Sequence, residues 1–470
     1  MDNNDILWTP KAEAFSQSAM AKFALANGFD PKDYGTMHRW SVSDPGAFWS
    51  ALWDFAGIIG DKGERAFVPD EAAWMTGARF FPEARLNLAE NLLMRGDDRD
   101  VAVYEVMESG ERRQVSRAAL QAQVAQAASG LKAAGVAPGD RVAGVTPNSI
   151  EGLVAAMATI AIGATWTSCS PDFGKAAIVD RIGQVSPKVL FAAPEYRYGG
   201  KAHDIGGRIA EIVAEIPSIT TVVVSGAGAV PGIETIAQVE FGDASAPLEF
   251  SRVPFDQPAY ILYTSGTTGI PKAIVHRAGG VLMQHMKEHI LHGDVRPGDA
   301  VIWYTNTAWM MYHWMVSALG AGAAIVLYDG APILKAAEGL DPSPLWKLAE
   351  DIRVSHLGIS PKYLATLAAE GYNPGELHDL SALRGLLVCG APTLPHQFDW
   401  VYTAIKQDMF FASISGGTEI LGSFLIGSPL HPVRRGQLTV PALGHAVAVL
   451  DERGAPCVGR RGELVCTEPF

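Results

Sequence analysis

From about residue 86 onward, short apolar runs alternate with alanine-rich stretches of helical spacing, and no other feature constrains the fold as much. Val101-Ala102-Val103-Tyr104 precedes a helix across Ser116 to Ala134, and Arg141-Val142-Ala143-Gly144-Val145 precedes a helix from about Ile150 to Ile162. Short apolar runs bounded by turns are strands buried on both faces. Strands joined through helices lie parallel, because the crossover carries the chain back to the starting edge. The expectation is therefore an α/β chain with mostly parallel sheets covered by helices.

A chain of 470 residues is too long for one core and should divide into subdomains. Residues 1–85 are rich in Trp and Phe, including Trp8, Trp40, Trp49, Trp53 and Trp74, and read as an N-terminal extension. A polar stretch with Gly and Pro near 226–258 separates a first α/β block, 86–258, from a second, 259–420. Residues 421–470 have the texture of short strands and turns, as in Ala446–Leu450 and Gly462–Cys466, and read as a small β subdomain. The apolar run from Ala308 to Tyr328 is interrupted by His313, Gly320 and Gly322. It reads as a buried helix to about Leu319, a turn, and a strand Ala324–Tyr328, not a membrane span.

The net charge of −13 argues against a nucleic-acid surface, which needs a basic stripe. Anionic substrates would then have to find local positive potential inside an unfavourable global field. Four scattered cysteines, Cys169, Cys389, Cys457 and Cys466, form neither a disulfide framework nor a zinc site. The start Met1-Asp2-Asn3-Asn4-Asp5 is acidic where a targeting peptide needs a basic start and an apolar stretch. A cytoplasmic location follows as the expectation, with no membrane partner and no oligomeric state implied.

Thr264-Ser265-Gly266-Thr267-Thr268-Gly269-Ile270-Pro271-Lys272 follows the apolar segment Ala259–Tyr263. Gly266 and Gly269 let main-chain N–H groups converge on anionic oxygens, Ser265, Thr267 and Thr268 add hydroxyl donors, and Lys272 adds a cation. The loop lacks the GK[ST] ending of a Walker A motif. About 150 residues downstream, Gly416-Gly417-Thr418-Glu419 follows the apolar Met409–Ala412, and Gly390-Ala391-Pro392 lies between the two. Together these elements resemble the signatures of the adenylate-forming superfamily, which includes acyl-CoA synthetases, peptide-synthetase adenylation domains and luciferases. The resemblance implies ATP, Mg²⁺ and CoA as cofactor and substrates. It implies that Thr264–Lys272 holds the β- and γ-phosphates, with Lys272 catalytic. Thr418 would meet the α-phosphate, and Glu419 would hold Mg²⁺, a hard cation that prefers oxygen ligands. Gly390, Ala391, Pro392 and Ile414 would contact adenine.

Most of the chain resembles one branch of that superfamily, the acetoacetyl-CoA synthetases, through Ile261–Thr264, Ala273–His276, Trp309-Met310-Met311-Tyr312, Tyr328-Asp329-Gly330 and Ser413–Glu419. The acetyl-CoA synthetases carry Trp at the positions of Ser415 and Gly416. A hydrogen in place of an indole would enlarge the acyl pocket, formed with Trp309 and Gly417, and Gly416→Trp is expected to favour acetate over acetoacetate. The implied reaction is ATP-dependent activation of acetoacetate to an acyl-adenylate and transfer to CoA, releasing AMP and pyrophosphate. Family members continue past the position of Phe470 with a ribose-binding Asp, a hinge and a lysine-bearing lid, so the expectation is a core without its lid. A CoA ligase for another small acid, or a non-catalytic nucleotide-binding module, stays open as an alternative. His285, His289 and His292 recur at i, i+4 and i+7, a spacing that suits either one metal-binding face or an ordinary helix face. His276 reads as structural.

Overall fold

The computed structural model describes residues 5–264, 269–337 and 339–470, and two seven-stranded sheets organise them. In the first, the order is Ile236–Ala237, Thr221–Val224, Val189–Ala192, Arg141–Val145, Thr165–Cys169, Pro258–Thr264 and Lys272–Arg277. Neighbours are parallel until the last strand, which folds back antiparallel on Pro258–Thr264. The second sheet runs Phe410–Ser413, Gly385–Val388, His356–Ile359, Ala300–Trp303, Ala324–Asp329, Val101–Met107 and Arg112–Ser116, again parallel except for its final hairpin.

The expected helix-covered, mostly parallel architecture is present, but the strands are not shared out as consecutive blocks. Val101–Met107 and Arg112–Ser116 belong to the second sheet, while Pro258–Thr264 and Lys272–Arg277 complete the first. A boundary at 258 therefore does not separate the sheets. Loop-closure entropy rises only slowly with loop length, so a strand can join a distant open edge at little extra cost.

Local chemistry starts the helices where the sequence places them. Ser116 Oγ accepts the Ala119 N–H at 3.2 Å and opens Arg117–Ala133, and Ser149 Oγ accepts the Gly152 N–H at 3.2 Å and opens Ile150–Ala161. The apolar run after Ala308 becomes the buried helix Met310–Val316, a short 3₁₀ turn Ser317–Ala321 and the strand Ala324–Asp329. Among the described residues no helix is long and apolar enough to cross a membrane.

Beyond Ile414 the chain forms the antiparallel strands Ser415–Gly417, Gly422–Ile426 and Val440–Pro441, then the pair Val447–Leu450 and Glu463–Cys466. The aromatic N-terminal segment packs beneath this region. Ile6–Trp8 pairs with Val433–Arg434, and the Gly444 N–H donates to Ser41 Oγ at 2.9 Å. The Trp49 ring fills the space a side chain at Gly444 would need.

Candidate active site

Two strands of the second sheet, Gly385–Val388 and Phe410–Ser413, deliver their carboxyl ends to one opening, the usual place for ligands in an open parallel sheet. Just past those ends lie Gly390-Ala391-Pro392 and Ile414, and Trp309 stands immediately before the helix Met310–Val316. A cavity of about 530 Å³ is lined jointly by Trp309, Gly390, Ala391, Pro392, Ile414, Gly416, Gly417 and Thr418. Residues that are more than a hundred positions apart in sequence thus share one wall. Gly390 takes φ +95°, a conformation glycine adopts freely, and the Trp309 ring lies 3.8 Å from where a Cβ at Gly390 would stand. An indole therefore faces the turn expected to meet adenine.

Thr418 and Glu419 sit in the loop of a hairpin, because Gly417 pairs with Gly422 across the strands. The Leu421 N–H donates to the Thr418 carbonyl at 3.3 Å, and Leu421 itself adopts φ +46°, the left-handed region that costs a residue with a side chain about 1–2 kcal/mol. Glu419 is exposed, and among the described residues no cation pairs with its carboxylate. It lines a second cavity of about 360 Å³ together with Val275, His276 and Arg277. The hairpin loop is thus a partition between two cavities. A hard carboxylate oxygen facing open space fits Mg²⁺, which keeps several waters and needs few protein ligands.

The strand opened by Lys272 reaches this partition through His276. Burial pushes the His276 imidazole down to about 4, with the Thr418 backbone acting in the opposite sense as a hydrogen-bond acceptor. Neutral and buried, His276 is a structural contact to the Thr418 loop. Lys272 is exposed, pairs in register with Thr264, and lines neither cavity. Gly269 has φ +97° with open space around it. Ser265, Gly266, Thr267 and Thr268 lie outside the described residues.

Gly416 requires a correction. A Cβ there would stand 1.9 Å from the Gly422 carbonyl oxygen and 2.8 Å from the Ser423 Cα, both backbone of the adjacent strand. Glycine is demanded by strand packing at a bulged register, so the expected Gly416→Trp exchange of acid preference does not follow: an indole has nowhere to go unless the strand moves. Gly417 differs, since a Cβ there would meet only the movable Glu419 carboxylate, at 2.9 Å.

The three histidines do not form a metal face, and they are not solvated. They sit on a buried segment, the helix Ala278–Met286 continued by the π-helical turn Lys287–His292. His285 Nε2 lies 2.8 Å from the Leu421 carbonyl, His289 Nε2 2.7 Å from the Trp314 carbonyl, and His292 Nδ1 2.8 Å from the Gly427 carbonyl. Beside and between them come Gln284, Lys287 and Glu288, which a reading of the sequence passes over. Glu288 accepts the Ser423 N–H at 2.8 Å, Gln284 Nε2 at 2.9 Å and Trp314 Nε1 at 2.7 Å. Lys287 donates to Gln284 Oε1 at 3.0 Å and lies 3.2 Å from His445 Nδ1. Burial drives Lys287 down to about 8 and pushes Glu288 up, each opposed by the other's charge. Nothing in a Lys-Glu-His run announces burial, because charged residues on a helix ordinarily face water.

Comparison with known proteins agrees with this geometry. The model of the family described as AMP-binding enzyme matches residues 90–470. The chain is 41% identical to an acetoacetyl-coenzyme A synthetase of Rhizobium meliloti (strain 1021) over 99% of its own length and 72% of the relative's. It is 37% identical to an acetoacetyl-CoA synthetase of Danio rerio, over 99% and 71%. A solved acetoacetyl-CoA synthetase from Streptomyces lividans superposes with a TM-score of 0.91 at 38% identity, covering 99% of this chain and 73% of that one.

Proposed function

The chain belongs to the family of AMP-binding enzymes, and we propose that it is an acid–thiol ligase that activates acetoacetate with ATP and passes the acyl group to CoA. The observation that carries the reading is the single cavity in which Trp309, Gly390-Ala391-Pro392, Ile414 and Gly416-Gly417-Thr418 meet. In the first step an oxygen of the acid's carboxylate attacks the α-phosphorus of ATP, a P–O bond to the β-phosphate breaks, and pyrophosphate leaves. In the second the CoA thiol attacks the acyl carbon, AMP leaves, and one proton is released.

Both partners in the first step are anions, so the protein must offset charge and align the attacker rather than move protons. The Thr418 hydroxyl is assigned to the α-phosphate, and Thr264, the loop 265–268, Gly269 and Lys272 to the departing phosphates. Glu419 would hold Mg²⁺, which supplies charge neutralisation at the phosphates. Gly390, Ala391, Pro392 and Ile414 would seat adenine. Trp309 and Gly417 would bound the acyl group, while Gly416 acts by letting the two strands close.

The test is acid-dependent exchange of labelled pyrophosphate into ATP. Acetoacetate should support exchange better than acetate, and Glu419→Gln should lower the rate at least about tenfold, roughly 1.4 kcal/mol of barrier. Exchange that is indifferent to Glu419→Gln would remove the metal assignment. Preference for acetate would remove the substrate assignment.

A further inference from the structure

The Thr418–Glu419 loop is gripped from behind. Its last residue, Leu421, is held in the left-handed region at φ +46°, and the first strand residues after it are Gly422 and Ser423. One turn of the buried helical segment reaches both places. His285 Nε2 meets the Leu421 carbonyl at 2.8 Å, and Glu288 Oε1 meets the Ser423 N–H at 2.8 Å. The ring of His285 is fixed in turn, because its Nδ1 lies 2.7 Å from Ser317 Oγ. Burial keeps the imidazole neutral, so with Nδ1 accepting the Ser317 hydroxyl proton, Nε2 carries the N–H that donates to Leu421. Between those two contacts, a Cβ at Gly422 would strike the Gln284 amide at 2.2 Å, so the strand lies directly on this segment. A π-helical turn at Lys287–His292, which carries Glu288, follows directly, a deformation frequent at functional sites.

We propose that His285 and Glu288 are positioning residues for the reaction: they touch neither substrate nor reacting atoms, but they fix the strained hairpin loop so that Glu419 and Thr418 face the triphosphate. The inference rests on the reading that Glu419 holds Mg²⁺. Both contacts fall where the loop rejoins the strand, His285 on the Leu421 carbonyl and Glu288 on the Ser423 N–H two residues on, so together they fix the angle at which the loop leaves it. Partners that orient a metal-holding group typically change affinity by about 10–100-fold when removed.

The experiment compares His285→Leu, which deletes the donor, with His285→Gln, whose amide can still donate to Leu421. Ser317→Ala is a milder third variant that frees the tautomer and also gives up the 3.1 Å contact of the Ser317 hydroxyl with the His313 carbonyl. Calorimetric titration with MgATP and hydrogen exchange of a peptide spanning 415–426 in the nucleotide-free protein are the readouts, with Glu419→Gln titrated alongside. His285→Leu should weaken MgATP binding by about tenfold and speed amide exchange in the loop. Ser317→Ala should move both readouts the same way by about two- to threefold, and His285→Gln should stay within about twofold of the native protein. Equal losses in His285→Leu and His285→Gln, or unchanged loop exchange in His285→Leu, overturn the inference. If His285→Leu fails to fold, Ser317→Ala decides: no change in either readout overturns it. A Glu419→Gln protein that binds MgATP as tightly as the native one would instead sink the underlying metal assignment, so the two failures are distinguishable.

Discussion

Two buried helical segments of this protein, Ile150–Ala161 and Ala278–His292, do opposite kinds of work. The first has only Glu151 and Thr159 as polar side chains and packs against the helix Arg117–Ala133. Its hydrogen bonds to the rest of the protein gather at its two ends, where Glu105 accepts the Ile150 N–H, Arg113 pairs with Glu151, and Asn87 donates to the Ile160 and Ala161 carbonyls. The second buries Gln284, His285, Lys287, Glu288, His289 and His292 in the same interior. Apolar contact is non-directional and fixes a helix in a layer, whereas a buried hydrogen bond fixes an atom to within a few tenths of an ångström. The contrast teaches where precision is needed. Sheets need only layers, while a hairpin loop assigned to hold a metal needs its backbone groups held one by one.

The sharpest way to break this comparison is to make the polar segment behave like the apolar one. Lys287→Met leaves the Glu288 carboxylate buried without its cation and should cost about 3–5 kcal/mol, read as a fall in denaturant midpoint. Lys287→Met combined with Glu288→Gln should recover most of that loss, because the buried site is neutral again. A single variant as stable as the native protein would show that the charges are not paired in the interior.

A smaller effect separates the two glycines of the adjoining strand. Gly416→Ala drives a methyl group into the Gly422 carbonyl and should cost about 1–3 kcal/mol, whereas Gly417→Ala displaces only the Glu419 carboxylate and should cost well under that. Similar denaturation midpoints for both would deny that Gly416 is required by strand packing.

The smallest step, taken per group, is with acid. Burial lowers His289, His292 and His313 to about 3 from the ordinary 6.5. Their folded values lie below the unfolded one, so the stability they permit is complete above pH 6.5 and drains away as pH falls toward 3. Each should remove about 1.4 kcal/mol per pH unit in that window, because the unfolded chain takes up a proton that the folded chain refuses. The helix Ile150–Ala161 offers no histidine to titrate. A denaturation midpoint that stays flat from pH 6 to 5 would mean these rings are accessible to water.

Much of the site was legible before any fold was known. Gly390-Ala391-Pro392, Ile414, Gly416-Gly417-Thr418 and Trp309 were picked out through their resemblance to the signatures of the adenylate-forming superfamily, and they line one cavity. The helices beginning near Ser116 and Ile150 were legible from alternation, and the structure adds that Ser116 and Ser149 cap them, which is local chemistry. The meaning of Gly416 was not legible, since the Gly422 carbonyl that forbids a side chain there is fixed by a bulged strand register. Gln284, Lys287 and Glu288 were invisible for a related reason: a charged helix face reads as solvated until something is found to cover it.

What the amino-acid order determined on its own was whatever depends on near neighbours: strand and helix alternation, caps, and clusters of hydroxyls and glycines suited to phosphate. Tertiary structure alone decided which strands share a sheet and why residues 285–288 are dry. It also placed the Thr418–Glu419 loop between two cavities. Those outcomes depend on contacts between residues more than a hundred positions apart, where loop entropy is nearly indifferent to separation and only packing and hydrogen-bond geometry choose.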